Sequence, residues 1–476
     1  MSQTADLSET FLRAALEILG PRGCLTAPED ITPYVEDWRG RETGQSPMVA
    51  RPASTDECAR FMILCAEHGV AITPQGGNSG LVLGGLAHGE VVISTARMKA
   101  IRDIDPLNDS LTVEAGVILA DVQAAAEGAG RLFPLSLASE GQAQIGGLIS
   151  TNAGGVNVLR YGMMRDLVMG IEAVLPDGRI WNGLTALRKD NTAYDLKQLF
   201  IGGEGTLGVV TAATLKLYPQ PAVKAVAWLA VESPQAAVEL LAMARQETGG
   251  AVSSFELMPR IGVDFVMEEF SQMRDPLPDA GADWYVLMEV SFSRKEGASE
   301  LMQSMLEQAF ERGFASDGVL AQNEAQARDI WHIRESLPLA EKAFGRAVKH
   351  DISVPVSSIP AFLERGGKLV QAIAPDANLI AFGHVGDGNL HYNVAPPVGM
   401  DDTQFVKQFG KALTGAIHDL VCQMNGSISA EHGIGLQKRD DLAARISPVE
   451  LDMLRAVKRA LDPDNRMNPG RMVDVG

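Results

Sequence analysis

Two stretches rich in glycine and small polar residues place the strongest limit on what this chain can fold into. The first, "PQGGNSG" at 74–80, follows the short apolar segment "AITP". The second, "SEGQAQIGGLISTNAGGVNVLRYG" at 139–162, is expected to supply little hydrophobic core. Where Cβ atoms are absent, several backbone N–H groups can converge on an anion, so both stretches suit a phosphate, and a plain turn is the alternative. Two such loops in one domain can embrace both ends of an extended cofactor that contains a diphosphate.

These loops match neither of the two common nucleotide motifs. No Gly-Lys-Ser/Thr follows the first loop, which argues against a P-loop for nucleoside triphosphates. The segment "GGEGTLGVVTAATLKLYP" does contain G-x-G-x-x-G, at Gly203, Gly205 and Gly208. A dinucleotide fingerprint requires a helix after its glycines, but the β-branched residues that follow here predict a strand. A Rossmann domain is therefore rejected, and no nicotinamide cofactor is expected.

The composition is that of a globular protein and excludes several kinds of partner. Among 476 residues, 46% are hydrophobic and 21% are charged, and 60 acidic against 41 basic side chains give a net charge of -19. A surface for nucleic acid or an anionic membrane is therefore not expected. Four cysteines without a C-x-x-C pair predict neither a disulfide framework nor a sulfur metal site, and they fit a reducing cytoplasm. No apolar run approaches the roughly 20 residues of a membrane span.

The chain is expected to form two α+β domains and a C-terminal segment. Pro219 and Pro221 mark a boundary, so the first domain is placed at 1–221, beginning with a short amphipathic helix. In this domain the Pro-Asp-Gly of "IEAVLPDGRIW" predicts a hairpin. Strand and helix patterns are mixed through 222–425, which predicts a second, smaller α+β domain. The remainder, 426–476, carries chemistry of its own.

A glycine-rich turn, "FGHVGDGNLHYNV" at 382–394, holds His384 and His391. If this segment is a hairpin whose connection has an even number of residues, the two side chains point to the same face as diagonal neighbours, with Cα atoms roughly 7 to 8 Å apart and side chains closer. They can then share one metal ion. Structural histidines held by hydrogen bonds are the alternative.

A third metal ligand is available in "SISAEHGIG", where a predicted strand ends in Glu431 and His432. Two histidines and one carboxylate form a known catalytic zinc set, which leaves a position for water or substrate. Manganese, cobalt or iron also suits such ligands. A solvent-exposed Glu-His pair is the plainer interpretation.

Several long motifs, in a fixed order, resemble the vanillyl-alcohol-oxidase/PCMH superfamily of FAD enzymes. They are "PQGGNSG", "IGGLISTNAGG", "LRYG", "LRKDNTAYDLKQLFIGGEGTLGVVT", "GHVGDGNLH" and "SAEHGIG". Within that superfamily the chain is most similar to the D-2-hydroxyglutarate dehydrogenase and D-lactate dehydrogenase group, and the similarity runs from about 34 to 472. The resemblance implies a PCMH-type FAD-binding domain, an α+β substrate or cap domain, and a C-terminal segment that returns to the flavin.

The resemblance implies a set of cofactor-binding residues drawn from both glycine stretches, from the segment after "FIGG" and from the C-terminal Asn-Pro. These residues are Pro74, Gln75, Gly76, Gly77, Asn78, Ser79, Gly80, Ser139, Gly146, Thr151, Asn152, Gly154, Gly155, Glu204, Gly208, Val210 and Asn468. Some relatives tether FAD to a histidine in the first loop. This loop has none, so non-covalent FAD is implied.

The resemblance also assigns the metal ligands and the catalytic base. His384, His391 and Glu431 are implied to bind a divalent metal such as zinc, and His432 is implied to accept the hydroxyl proton of the substrate. Consecutive side chains of an extended chain diverge, which agrees with separate roles for the last two. When bound, the metal supplies a Lewis acid and FAD supplies the hydride acceptor.

Cationic residues are required for an anionic substrate in so acidic a protein. By similarity, Arg334 and Lys349 hold the distal carboxylate of a dicarboxylic acid, and Asn393 lies near the α-carboxylate. For each cation, a surface salt bridge is the alternative. The sequence departs from the family pattern at Pro338, where 2-hydroxyglutarate enzymes can carry a hydroxyl residue, and this departure keeps D-malate and D-lactate open as substrates.

The predicted function is a soluble FAD- and metal-dependent D-2-hydroxyacid dehydrogenase that converts D-2-hydroxyglutarate to 2-oxoglutarate. Its acceptor would be an electron-transfer flavoprotein, a quinone or a cytochrome. A D-lactate or D-malate dehydrogenase is the alternative within the family. A flavin-free metallohydrolase and a flavin-binding protein without turnover are alternatives of other classes. A homodimer is among the expected assemblies, although the sequence does not fix the oligomeric state.

Overall fold

The computed structural model of this chain describes residues 7–38, 40–343 and 345–475. Within these ranges the chain forms two compact units. The first unit takes the chain up to Gly155, then Gly162–Gln220, and then the chain from Glu431 onward. The second unit takes Val156–Tyr161 and Pro221–Ala430. Residues 1–6, with which the predicted N-terminal segment begins, lie outside the described ranges.

The two longest helices of the described residues, Glu324–Ala343 and Asp402–Gln423, lie in the second unit. The helices are α1 Glu9–Leu19, α2 Pro28–Val35, α3 Thr55–Glu67, α4 Leu119–Gly128, α5 Ile145–Ser150, α6 Val158–Tyr161, α7 Met164–Leu167, α8 Lys197–Phe200, α9 Pro234–Glu247, α10 Arg260–Glu269, α11 Ala298–Glu311, α12 Glu324–Ala343, α13 Ile359–Ile373, α14 Asp402–Gln423, α15 Arg439–Arg445 and α16 Pro448–Leu461, with a 3-10 turn at Val356–Ser358. Among the described residues, none of these helices combines the length and apolar character that a membrane crossing requires.

The strands within the described residues fall into four sheets. They are β1 Cys24–Leu25, β2 Val49–Ala50, β3 Ile72–Gln75, β4 Val91–Ser94, β5 Ile101–Asp105, β6 Ser110–Glu114, β7 Arg131–Leu132, β8 Val168–Val174, β9 Ile180–Gly183, β10 Val209–Lys216, β11 Tyr218–Pro219, β12 Val223–Val231, β13 Val252–Pro259, β14 Trp284–Phe292, β15 Asp317–Leu320, β16 Val348–Ser353, β17 Asn378–His384 and β18 Asn389–Ala395.

The first unit is built on two main sheets and a small ribbon. A four-stranded sheet has the order β1-β2-β4-β3, in which β2, β4 and β3 run parallel. A five-stranded antiparallel sheet has the order β5-β6-β10-β8-β9, and β7 pairs with β11. The first glycine stretch leaves the carboxyl end of β3. The predicted Pro-Asp-Gly hairpin is confirmed as the antiparallel pair β8–β9.

Sequence and burial explain how α3 forms and packs in this unit. Ser54 caps the helix, because its hydroxyl accepts a hydrogen bond from the Glu57 N–H at 3.1 Å. Most apolar side chains of the helix face one core, and Phe61 and Met62 are fully buried there. Burial of each such side chain stabilises the fold by about 1.5–3 kcal/mol. Ile72 of β3 lies in the same core, so the start of the first glycine loop is held firmly.

The second unit is built on one seven-stranded sheet, with the order β15-β12-β14-β13-β17-β18-β16. All of its strand pairs are antiparallel. The central strands are largely buried, and Trp228 of β12 stacks on Tyr285 of β14 with ring centroids 5.5 Å apart. β13 joins the two halves of the sheet, because it pairs with β14 on one side and with β17 on the other.

The predicted histidine hairpin is confirmed. Four residues, 385–388, connect β17 to β18, and Phe382 pairs with His391 in the antiparallel register. His384 is two positions beyond Phe382 on the same strand. His384 and His391 therefore occupy diagonal positions on one face of the sheet.

Two local expectations are wrong, and one exclusion is upheld. The second glycine stretch was expected to add little core, but α5 lies within it and buries Ile145, Leu148 and Ile149. The strand expected before Glu431 is reduced to a single bridge between Ser353 and Ser427 in the described residues. The G-x-G-x-x-G segment leads directly into β10, as the rejection of a Rossmann domain requires.

Candidate active site

The structure brings the two glycine stretches together in the first unit. The Gln142 side-chain amide donates to the Gly77 carbonyl oxygen at 2.7 Å. A Cβ on Gly77 would lie 2.1 Å from the Gln142 carbonyl oxygen, so no larger residue fits at this crossing. The next residue, Asn78, has φ 52, in the left-handed region. The loop is therefore a fixed bend with its backbone packed against the second stretch.

The segment that begins at Glu204 contacts both glycine stretches. The Glu204 N–H donates to the Ser150 carbonyl oxygen at 2.8 Å, at the end of α5. A Cβ on Gly205 would lie 3.0 Å from Pro74 Cγ in the first loop. Three of the four chain segments that the resemblance assigns to FAD thus meet in one unit.

Several of the predicted cofactor residues also make hydrogen bonds or close contacts within the protein itself. Gln75 donates to the Tyr34 and Gly85 carbonyl oxygens at 2.8 and 2.9 Å. Asn152 accepts from the Arg165 N–H at 2.9 Å. At three of the predicted glycines, an added Cβ would clash with the protein itself: at 2.8 Å on Gly146, 2.0 Å on Gly155 and 2.6 Å on Gly208.

The remaining predicted residues of the first unit lie close to these. Thr151 caps α5, and its hydroxyl donates to the Gly147 carbonyl oxygen at 3.0 Å. Val210 is buried in β10. Ser139 and Gly154 lie on either side of α5, and Ser79 and Gly80 complete the first loop.

The Glu204 side chain is hydrogen-bonded to the C-terminal part of the chain. Its two oxygens accept hydrogen bonds from the Ile434 and Gly435 N–H groups, both at 2.7 Å. Burial raises the pKa of Glu204, and these two backbone bonds oppose the rise without cancelling it. The carboxyl group therefore holds the loop that follows His432 in a fixed position within the first unit.

Asn468, which the resemblance places near the flavin, also reaches the Glu204 segment. Its side-chain amide donates to the Gly84 and Glu204 carbonyl oxygens at 2.9 and 2.8 Å. The residue is 1% exposed, and its side-chain oxygen is buried without a hydrogen-bond partner among the described residues. Buried polar atoms are normally paired, so this oxygen fits a site that a hydrogen-bonding ligand such as FAD would complete.

In the second unit, the predicted substrate and metal residues that belong to strands occupy one face of the sheet. Lys349 pairs with Asn393 in the β16–β18 register, and Asp351 pairs with His391 one row further along. Side chains that are opposite or two apart on a strand share a face. His384 lies on that face at the end of β17.

The two histidines are close enough to share an ion. Their ring centroids are 5.7 Å apart, and each ring offers a nitrogen within 4.8 Å of the other. The Nδ1 of His384 is hydrogen-bonded at 2.6 Å to the carboxylate of Glu256. A carboxylate on one ring nitrogen is the usual companion of a metal-binding histidine, and it directs Nε2 toward the metal.

Glu256 was missed by sequence reasoning. It lies on β13, fully buried, and its other oxygen accepts from Arg334 Nε at 2.7 Å. Burial alone would raise its pKa, but the charges of His384 and Arg334 outweigh that effect and lower the pKa to about 2. The one sequence signal was an acidic residue inside the apolar run "FELM".

A second buried acid, Glu341, holds the other two predicted substrate residues. Its Oε2 accepts from Lys349 Nζ and from the Asn393 amide, both at 2.9 Å. Glu341 and Arg334 both belong to α12, seven residues apart, a spacing that places them on one side of a helix. One helix therefore presents both an arginine and an acid to this sheet face.

The last residue of the second unit, Ala430, is hydrogen-bonded to the strand that pairs with His391. The Ala430 N–H donates to the Asp351 carbonyl oxygen at 3.3 Å, and Asp351 is the register partner of His391. Ala430 is the last residue of the second unit, and half-buried Glu431 and His432 follow it in the first. Asp351 is a further acid that sequence reasoning missed, although strand alternation from Lys349 predicts it.

Comparison with known families gives two matches that cover most of the chain. A family described as "FAD binding domain" matches residues 46–183, and one described as "FAD linked oxidases, C-terminal domain" matches residues 220–472. The D-2-hydroxyglutarate–pyruvate transhydrogenase of Saccharomyces cerevisiae is 34% identical over 455 residues, which are 94% of this chain and 90% of that protein. The mitochondrial D-2-hydroxyglutarate dehydrogenase of Bos taurus is 36% identical, covering 97% of this chain and 83% of that protein.

Among solved structures, p-cresol methylhydroxylase with substrate bound has the same fold. The TM-score is 0.75 at 16% sequence identity, and the alignment covers 98% of this chain and 97% of that one. The predicted PCMH-type α+β fold is thereby confirmed.

The cytoplasmic location predicted from the sequence is contradicted by these comparisons. The relative from Bos taurus is named as mitochondrial, and so are relatives from Arabidopsis thaliana, Rattus norvegicus and Danio rerio. The argument from cysteine content failed because a low number of unpaired thiols indicates a reducing environment without identifying the compartment.

Proposed function

This chain belongs to the family of FAD-linked oxidases, and we propose that it is an FAD- and divalent-metal-dependent dehydrogenase that oxidises D-2-hydroxyglutarate to 2-oxoglutarate. The family makes it an FAD-dependent oxidoreductase. The choice of substrate rests on the similarity to proteins that are named for D-2-hydroxyglutarate. This similarity covers 94% or more of the chain at 34 to 36% identity.

FAD would be held without a covalent bond by the three convergent segments of the first unit and by Asn468. The bend at Gly77 and the buried, unpartnered oxygen of Asn468 support this assignment. When bound, FAD supplies the hydride acceptor that no side chain can provide.

A divalent metal, zinc in the first instance, would be held by His384, His391 and Glu431. The donor set fits, because two imidazoles lie together and one of them is backed by a buried carboxylate. Ala430, which precedes Glu431, is hydrogen-bonded to the strand opposite His391, which supports Glu431 as the third ligand. When bound, the metal supplies a Lewis acid that lowers the pKa of the substrate hydroxyl.

His432 is proposed as the general base that takes the hydroxyl proton. An imidazole has an ordinary pKa of about 6.5 and accepts a proton readily at neutral pH. Its loop is held by the two hydrogen bonds to Glu204 in the first unit, which would limit the positions that the ring can take.

Lys349 and Arg334 are proposed to bind the distal carboxylate, and Asn393 the α-carboxylate. Each cation is already paired with a buried acid, so a substrate carboxylate would join an existing ion pair. Pro338 lacks a hydroxyl group and lies exposed on α12. It cannot donate a hydrogen bond to a distal carboxylate, which keeps D-lactate or D-malate as the second candidate substrate.

Electrons would leave the reduced flavin for an acceptor such as an electron-transfer flavoprotein or a quinone. A homodimer is retained as the proposed assembly. Neither proposal adds a residue to the site.

The test is a comparison of kcat/KM for D-2-hydroxyglutarate, D-malate and D-lactate with one artificial acceptor. We expect D-2-hydroxyglutarate to have the highest value and the L-enantiomer to be inactive. A value for D-lactate equal to or above that for D-2-hydroxyglutarate would contradict the proposed substrate. A purified protein without flavin absorbance would contradict the whole assignment.

A further inference from the structure

One buried carboxylate contacts both a proposed metal ligand and a proposed substrate-binding cation. Glu256 is fully buried on β13. Its Oε1 accepts from His384 Nδ1 at 2.6 Å, and its Oε2 accepts from Arg334 Nε at 2.7 Å. Each oxygen therefore has a different partner, and the two partners come from different elements, β17 and α12.

The contact with His384 determines which ring nitrogen faces a metal. A carboxylate on Nδ1 keeps the imidazole proton there, and the lone pair then lies on Nε2. The strand register reinforces this contact, because Glu256 pairs directly with His384.

The contact with Arg334 determines how the guanidinium points. Arg334 is 6% exposed, and its guanidinium carbon lies 4.9 Å from the centre of the Phe382 ring. With Nε bound to Glu256 and one flat side against an aromatic ring, the guanidinium is confined to one plane. Its two terminal nitrogens then have fixed directions.

We propose that Glu256 is a positioning residue that couples metal binding at His384 to recognition of the distal carboxylate at Arg334. This inference rests on the proposed function, which assigns those two roles. Because one carboxylate orients both side chains, its loss should loosen the metal ligand and the substrate-binding arginine together. A residue needed only for folding would not link these two properties.

Glu256→Gln tests this coupling. If the amide oxygen accepts from Arg334, the amide NH2 faces His384 Nδ1, so the ring must carry its proton on Nε2, where the metal lone pair is needed. If the amide is reversed, two donors face each other at Arg334. The variant therefore cannot satisfy both partners.

We expect two measured changes in Glu256→Gln. The affinity for Zn²⁺, measured by equilibrium dialysis, should fall about 10- to 100-fold. The KM for D-2-hydroxyglutarate should rise by a larger factor than the KM for D-lactate, which has no distal carboxylate. Wild-type Zn²⁺ affinity together with an unchanged ratio of the two KM values would overturn the proposal.

Glu289→Gln is the matched control. Glu289 is an acid of the adjacent strand β14, 5% exposed, and it accepts hydrogen bonds from Ser253 and Trp331. We expect its Zn²⁺ affinity and KM ratio to match those of the wild type. Equal losses in the two variants would overturn the proposal, because neutralising any buried acid of this sheet would then explain them.

A second variant keeps the test decisive if Glu256→Gln does not fold. The shorter side chain of Glu256→Asp keeps the charge but cannot reach both partners, so it should lose at least one of the two properties while retaining FAD. A wild-type result for both properties in this variant would overturn the proposal. Failure of the proposed function is seen separately, because the wild-type protein would then bind no Zn²⁺ or oxidise neither acid.

Discussion

Two buried carboxylates pair with the two cationic side chains that are proposed to bind the substrate. Glu256 pairs with Arg334, and Glu341 pairs with Lys349; both acids are fully buried. A buried charge without a partner is strongly destabilising, so each pair must be treated as one group. Replacing Arg334 would leave Glu256 uncompensated beside His384. Lys349, whose side chain is 37% exposed, is therefore the better position at which to test substrate binding.

Lys349→Gln should weaken binding of the longer substrate selectively. The amide can still donate to Glu341, but the positive charge for a distal carboxylate is lost. A charge-assisted hydrogen bond contributes about 1.5–3 kcal/mol, so we expect the KM for D-2-hydroxyglutarate to rise about 10- to 100-fold. Steady-state kinetics should show little change for D-lactate. The exposed Lys342→Gln serves as the control, and an equal loss for both substrates would refute the assignment.

His432→Ala should abolish turnover while the protein still binds FAD. Loss of a general base lowers kcat by about 10²- to 10⁴-fold. The flavin absorbance of the purified variant should equal that of the wild type. His332→Ala, on the exposed side of α12, is the matched control and should remain active. A fully active His432→Ala would remove the base assignment.

At the scale of elements, the β17–β18 hairpin depends on a glycine at its turn. Gly388 has φ 89, and a Cβ there would lie 2.2 Å from the Val354 carbonyl oxygen. Gly399 has nearly the same conformation, φ 88, with no atom within 4 Å of its Cβ position. Alanine at Gly399 would suffer only the unfavourable backbone conformation, whereas alanine at Gly388 would also clash with a neighbouring atom. Comparing the two substitutions therefore separates these two costs.

Gly388→Ala should destabilise the protein more than Gly399→Ala and should also lower Zn²⁺ affinity. An alanine in the left-handed region costs about 1–2 kcal/mol, which is the full effect expected for Gly399→Ala. The additional clash at Gly388 must displace the hairpin that carries His384 and His391. Thermal unfolding and equilibrium dialysis test the two effects, and equal behaviour of the two variants would contradict this account of the turn.

In the first unit, Glu172 joins three elements to β8. Its carboxylate accepts from the Thr55 hydroxyl at 2.6 Å, the Thr211 hydroxyl at 3.0 Å and the Arg102 guanidinium at 3.1 Å. Burial raises the pKa of Glu172, but these hydrogen bonds and the Arg102 charge outweigh it, and the net shift is downward.

Glu172→Gln should therefore lower stability at neutral pH by about 1–3 kcal/mol. A carboxyl whose pKa is lowered in the folded state stabilises the fold above its ordinary pKa, and that stabilisation is lost as the pH falls through the folded value. The difference in Tm between wild type and variant should thus narrow on acidification. Asp177→Asn, at the exposed β8–β9 turn, is the control. A Tm difference that does not change with pH would contradict the role given to this charge.

The elements that sequence reasoning predicted are those with local signals. The histidine hairpin follows from a glycine turn and an even connection, and β10 follows from β-branched residues. α5 was missed because glycine, serine and threonine around it are typical of loops, whereas burial of Ile145 and Ile149 fixes the helix. The strand before Glu431 was overpredicted, since alternation alone does not show whether a partner strand is present.

Across the molecule, the residues that the sequence did not reveal are those whose hydrogen-bond partners lie far away along the chain. Glu256 lies 128 positions before His384 and 78 before Arg334. No local sequence pattern predicts contacts between residues so far apart. An acid within an apolar run indicates only that the acid is buried and needs a partner. The glycine stretches were found because their composition is itself the signal. The chain collects the predicted flavin segments in one unit and the histidine pair and cations in the other.

In the proposed mechanism, a D-2-hydroxyacid reduces the flavin only when a divalent metal is bound. The most direct measurement is the flavin absorbance of the anaerobic holoprotein after addition of D-2-hydroxyglutarate, before and after removal of metal with a chelator. We expect rapid bleaching in the metal-loaded protein, none in the chelated protein with its FAD still bound, and recovery when Zn²⁺ is restored. Bleaching that is undiminished by chelation, or absent from the metal-loaded protein, would contradict the account.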